Sequence, residues 1–91
     1  MTIVTTATFD SLFNKLDEKI QEKASKKTGF FLLNPFHPSL RTEKLHPKKF
    51  HVWSFRIDRS YRIIFRFLDG EHVEFLFIGH HNQIYNYDIF R

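Results

Sequence analysis

Apolar residues follow two rhythms along this chain, and one gives way to the other near residue 50. In the first half, Phe9, Leu12, Phe13 and Leu16 recur at the spacing of one helix face, and Ile20, Ala24, Thr28 and Phe31 repeat the pattern. The short β-branched run over 2–6 predicts a brief first strand. A helix capped by Thr8 or Asp10 then runs to residue 16. A second helix runs from Asp17 to about residue 33, with Lys15, Lys19, Lys23, Lys26 and Lys27 mostly outside the apolar stripe. Gly29 is its weak point, where it bends or ends early. Asn34-Pro35 and His37-Pro38 stop it, because a residue before proline avoids the helical region. Residues 34–50 read as a polar connection.

After residue 50 the apolar positions alternate, the rhythm of strands buried on one side. Strands are predicted over 52–57, 61–68 and 72–78. Trp53, Phe55, Ile57, Tyr61, Ile63, Phe65, Phe67, Val73, Phe75 and Phe77 all carry odd numbers. Both hairpins therefore need loops of odd length to keep these residues on one face. The loops 58–60 and 68–70 meet that need, with Gly70 in the left-handed position that closes a three-residue loop. A two-residue Asp69-Gly70 turn would set Phe75 and Phe77 beside Arg62 and Arg66, which disfavours it. The odd face packs on the helices. The even face carries Ser54, Arg56, Arg62, Ile64, Arg66, Glu74, Leu76 and Ile78. The expected fold class is α+β: two N-terminal helices on one face of a small, mainly antiparallel sheet, all in one domain over 1–91.

Twelve Phe, three Tyr and one Trp give 91 residues an unusually large area to bury, which offsets the small size. The lack of cysteine excludes disulfides and thiolate metal sites and fits a reducing cytoplasm. No apolar run approaches the ~20 residues of a membrane span, and residues 1–10 lack a leader pattern. A cytoplasmic protein without a membrane partner is expected. The formal charge of +4 suits nucleic acid or an acidic protein, and equally a soluble basic protein with neither partner.

Chemistry enters through the even face. Arg56 and Arg62 are expected to face each other on adjacent strands, where like charges repel unless an anion bridges them. Asp58, Glu74 and solvent are the plainer neutralisers, and Arg66 is expected to pair with Glu74. The segment Gly79-His80-His81-Asn82-Gln83-Ile84-Tyr85 follows the last strand and adds proton-transfer groups. On spacing alone, the plainer reading is surface histidines in a loop. Either His80 or His81 can face inward, although alternation places His80 with the even face. The six histidines show no metal-ligand spacing, and adjacent His80 and His81 on extended backbone point apart. No serine-nucleophile elbow and no phosphate-cradling glycine loop exist, so neither a metal nor a small-molecule cofactor is expected.

Several segments taken together resemble the RelE/ParE superfamily of toxins from bacterial type II toxin–antitoxin pairs. They are Asn34-Pro35, His37-Pro38-Ser39-Leu40-Arg41, Leu45, the run from Trp53 to Phe65, and Ile78-Gly79-His80-His81-Asn82-Gln83-Ile84-Tyr85. The resemblance spans nearly the whole chain. It implies one of two activities: cleavage of mRNA on the ribosome without a metal, or poisoning of DNA gyrase. A relative of lost activity that only binds antitoxin is a third reading. For a nuclease, the resemblance assigns phosphate stabilisation to Arg62 and general acid or base work to His81. It also places Arg56 and Tyr85 at the site. Lys48, Lys49 and His51 would bind the RNA or ribosome backbone. Ile64, Leu76 and Ile78 would anchor a cognate antitoxin on the even face. A histidine stands at His81 where many members carry arginine, as in the YafQ- and HigB-like branch, and the basic cluster is thinner than in the most basic members.

Overall fold

The computed structural model describes residues 1–84. Strand β1 (Thr2–Thr5) leads into helix α1 (Ala7–Asn14) and helix α2 (Glu18–Leu33). Strands β2 (Glu43–Lys44), β3 (Trp53–Arg56), β4 (Tyr61–Phe67) and β5 (His72–His80) follow, and helix α3 starts at His81 (His81–Ile84). The strands form one five-stranded sheet in the order β1-β5-β4-β3-β2. Only the β1–β5 pair is parallel, so the expected mainly antiparallel α+β fold is what the chain adopts.

The helices start and stop for local reasons, two of which differ from expectation. The cap of α1 is Thr6, neither Thr8 nor Asp10; its hydroxyl accepts from the Phe9 N–H at 2.9 Å. The same hydroxyl donates to the Leu76 carbonyl at 2.9 Å, so the cap ties α1 to the sheet. Gly29 neither bends nor ends α2, which continues to Leu33. Its position is exposed and open, so only the propensity cost of glycine is incurred. Phe9, Ala24 and Phe31 pack on Phe55, Ile57, Ile63, Phe65, Val73 and Phe75 to form the main core. Phe31 lies within 5.0 Å of both Phe55 and Phe65, ring centre to ring centre, and so locks α2 to the middle of the sheet.

The expected polar connection holds more structure than its composition announces. Two short 3-10 turns, Pro38–Leu40 and Lys48–Phe50, flank β2. β2 pairs Glu43 with Ser54 and Lys44 with Trp53, and the Leu45 N–H donates to the Val52 carbonyl at 2.8 Å. The result is a hairpin that caps the β3 edge.

The two later hairpins both use three-residue loops, with one shift. Asp58 Oδ1 accepts from the N–H groups of Ser60 and Tyr61, each at 2.8 Å, and closes loop 58–60. The second loop is 69–71 and not 68–70: Leu68 N–H donates to the His72 carbonyl, and Asp69 Oδ1 accepts from Glu71 and His72 N–H. Gly70 is not left-handed. A carboxylate side chain does the closing expected of a glycine.

The largest departure is a bulge in β5. Phe65 pairs with Phe75, but Ile64 pairs with Phe77, which leaves Leu76 as an extra residue. Beyond it the parity of β5 reverses. Ile78 opposes Ile63 and joins the main core, while Phe77 turns to the even face beside Ile64 and Leu76. That face is not bare: Leu45, Val52, Ile64 and Ile84 form a second, smaller core there. Ile64 and Ile78, expected as exposed antitoxin anchors, are both buried within the chain itself. Leu76 alone of the three keeps partial exposure.

Candidate functional site

The β3–β4 register sets Arg56 directly across from Arg62, as the loop length requires. On its other side Arg62 faces Gly79 of β5. Gly79 offers no side chain there, and a Cβ on it would meet Ile84 Cγ2 at 3.5 Å. Helix α3 therefore folds back over the even face, where Ile84 joins Ile64. His81, the first residue of α3, stands at this end of the sheet.

Loop 58–60 holds His81 in place. The Ser60 carbonyl accepts from the His81 backbone N–H at 2.7 Å and lies 3.2 Å from its ring Nδ1. With Nδ1–H donating to that carbonyl, the neutral ring has its lone pair on Nε2. His80 opposes Tyr61, packs edge-on against it, and accepts from the Asn82 N–H at 3.1 Å through Nδ1. The two imidazoles do not diverge; they stack with centres 4.5 Å apart because the backbone turns helical at His81. The bulge also moves His80 off the even face that simple alternation gives it.

Charges are distributed unevenly. Arg62 Nη1 donates to Glu43 Oε1 at 2.8 Å, with the arginine side chain 16% exposed and the glutamate 56%. The sequence conceals this partner because β2 reads as loop. Arg66 pairs with Glu74 at 2.8 Å, as expected. Asp58 is engaged by Lys23 at 3.4 Å and by its own loop. Burial alone would raise its pKa, but the Ser60 and Tyr61 N–H groups and Lys23 together hold it below the ordinary value. Arg56 has no ion pair among the described residues. Ser54 Oγ, buried between Glu43 and Ile64 in the register, has no hydrogen-bond partner among them either.

Lys48, Lys49 and His51 occupy the tip of the β2–β3 hairpin and are exposed. Lys44 Nζ lies 3.4 Å from His51 Nδ1. The tip adjoins Val52, at the opposite end of β3 from Arg56. Four residues of strand make that separation roughly 13 Å at ~3.3 Å per residue. The structure thus gathers Arg56, Arg62 and His81 at one end of the even face and sets the basic tip at the other. Tyr85 lies outside the described residues.

A helical pair on a mixed five-stranded sheet, with two facing arginines and an anchored imidazole at one end, defines a small RelE-like fold. The family described as "ParE toxin of type II toxin-antitoxin system, parDE" matches residues 3–85, and the chain belongs to this toxin family of the RelE/ParE superfamily. Among solved structures, the YoeB/ParE toxin from Agrobacterium tumefaciens shares 22% identity, with 89% of this chain and 99% of that chain covered and a TM-score of 0.74. YafQ from E. coli strain BL21(DE3) superimposes with a TM-score of 0.72 at 12% identity, covering 89% of this chain and 93% of its own. The RelB-RelE antitoxin-toxin complex from Methanococcus jannaschii gives 0.72 at 16% identity, covering 93% and 98%. Curated proteins give no significant match.

Proposed function

We propose that this toxin is a metal-independent, ribosome-dependent mRNA endoribonuclease that arrests translation in the cytoplasm. The observation that carries the reading is the Arg56–Arg62 pair lying beside an imidazole with its Nδ1 against a backbone carbonyl. The ribose 2′-oxygen attacks the adjacent phosphorus and its proton passes to His81 Nε2. The P–O5′ bond breaks as a proton reaches the leaving 5′-oxygen, a donation open to the hydroxyl of Tyr85, which the resemblance places at the site. A 2′,3′-cyclic phosphate and a 5′-hydroxyl remain. Arg62 and Arg56 offset the charge that grows on the phosphorane. Substrates without a 2′-OH cannot follow this path, which makes the enzyme selective for RNA. Lys48, Lys49 and His51 contact the RNA or ribosome backbone further along.

A cognate antitoxin completes the system; the solved relatives include toxin–antitoxin complexes such as the YoeB-YefM heterotetramer from Staphylococcus aureus. Leu76, partly exposed where it packs on the smaller core of the even face, is the apolar contact the antitoxin would reach.

Regulated expression of wild type and His81→Ala tests the reading. New translation-dependent mRNA ends should accompany growth arrest in wild type and vanish in the variant. Growth arrest with unaltered mRNA would refute it. The ParE description of the matching family favours a second reading, inhibition of DNA gyrase by binding alone. Loss of supercoiling by purified gyrase, unaffected by His81→Ala, would support that instead.

A further inference from the structure

The arginine end of the sheet continues round the β3 edge into a pocket of about 250 Å³, lined by Lys27, Ser39, Arg41, Arg56, Asp58 and Arg59. That is many times the ~10–15 Å³ that holds one water, so a phosphate fits together with part of its hydration. Its cations come from separate elements. Lys27 projects from α2, Arg56 ends β3, and Arg59 sits in the β3–β4 loop. Arg41 lies two residues before β2, level with Arg56 when the register is continued, and its left-handed backbone (φ 48°) turns the chain there.

None of these four cations has an ion pair among the described residues; Lys27 only overlies the Phe30 ring. The pocket's single carboxylate is already engaged. Asp58 accepts two loop N–H groups through Oδ1 and faces Lys23 through Oδ2. Ser39 Oγ, 2.9 Å from His37 Nδ1, adds a hydroxyl at the rim. Four uncompensated cations around one concavity repel one another and favour an anion. Arg56 is shared with the arginine pair on the even face, so a chain of phosphates crossing that pair leads into the pocket.

We propose that this pocket is a second phosphate subsite, holding a backbone phosphate of single-stranded RNA adjacent to the one between Arg56 and Arg62. The assignment rests on the ribonuclease reading for its substrate, but not for its charge. Arg41, Arg59 and Lys27 position the strand and take no part in bond breaking.

The test uses a short, uncleavable 2′-O-methyl oligoribonucleotide, with Arg41→Gln/Arg59→Gln and Arg41→Lys/Arg59→Lys double variants of the full chain. The glutamine variant should bind about tenfold more weakly at low salt. Its plot of log affinity against log salt should be shallower by about 0.7, one single-strand phosphate contact. The lysine variant should recover most of that slope. In a translating extract, the glutamine variant should need more protein to cut while keeping the maximal cleavage rate. A single uncharged methylphosphonate linkage, walked along the oligonucleotide, should weaken wild type at one position that no longer matters in the glutamine variant. Equal affinity and slope in wild type and the glutamine variant would overturn the subsite, as would the absence of RNA binding by wild type. Wild type that binds with the predicted slope but never cuts would leave the subsite standing and remove the nuclease reading.

Discussion

Glu43 holds Arg62 through a 2.8 Å ion pair across the β3 strand that separates them in the sheet. The guanidinium proposed to meet phosphate is thus neutralised by a partner that is itself largely exposed. An incoming phosphate has to displace or share that carboxylate. Glu43→Gln is expected to raise cleavage several-fold and to cost no more than about 1 kcal/mol of stability, because the glutamate end of the pair is largely exposed and screened by solvent. Arg62→Gln should lower cleavage by about 10²–10³-fold. Primer extension in a translating extract and urea melts measure both.

The two histidines should separate cleanly. His81→Ala is expected to reduce cleavage by about 10²–10⁴-fold, and His80→Ala by less than about tenfold. The difference follows from the hydrogen bonds: Ser60 holds His81 by its backbone N–H and ring, whereas His80 receives the Asn82 N–H and packs on Tyr61. Single-turnover cleavage by both variants checks it.

Asp58 links pH to the site, since it closes the loop that presents the Ser60 carbonyl. Its folded pKa lies below the ordinary 3.8. Its stabilisation is therefore fully present above the unfolded value and is lost as pH falls through the folded one. Carbon-detected titration should find the Asp58 carboxyl below that value. Asp58→Ala should cost about 1–2 kcal/mol at neutral pH and flatten the acid limb of the stability curve.

Ser54 presents the opposite case, a buried hydroxyl without a partner among the described residues. Ser54→Ala removes an unsatisfied group at the expense of one atom of packing. It should leave stability unchanged or raise it by up to about 1 kcal/mol in chemical denaturation.

Gly29 sits in the exposed interior of α2, and a methyl group added there would find nothing within 4 Å. Gly29→Ala should stabilise the protein by about 0.5–1 kcal/mol and raise the thermal midpoint without touching activity.

How much of this is legible in the sequence depends on range. The Arg56–Arg62 apposition follows from loop parity, because Asp58-Arg59-Ser60 fixes the register locally. The Arg66–Glu74 pair is legible as opposite charges sharing one face of a hairpin, but the expected loop 68–70 sets Arg66 opposite His72, and only loop 69–71 brings it opposite Glu74. Glu43 stays hidden because a two-residue strand carries no periodic signal and exists only through its pairing with β3. Thr6 does not stand out as a cap because its β-branched neighbours read as strand. The bulge at Leu76 has no local mark, because Phe75-Leu76-Phe77-Ile78 is a continuous apolar run that suits either parity. It is enough to exchange the faces of Phe77 and Ile78, and so to remove one expected antitoxin anchor, Ile78, from the even face; Ile64 stays on that face and is covered by Leu45, Val52 and Ile84.

That extra residue makes the two halves of β5 answer to opposite rules. Loss of one codon at Leu76 would restore simple alternation and leave everything downstream on its present face, with Phe77 still opposite Ile64 and Ile78 still opposite Ile63. The extra residue is therefore slack in β5: the strand can shorten by one there and still bring Gly79 to Arg62. Its length is more freely changed at that point than at any fully paired position.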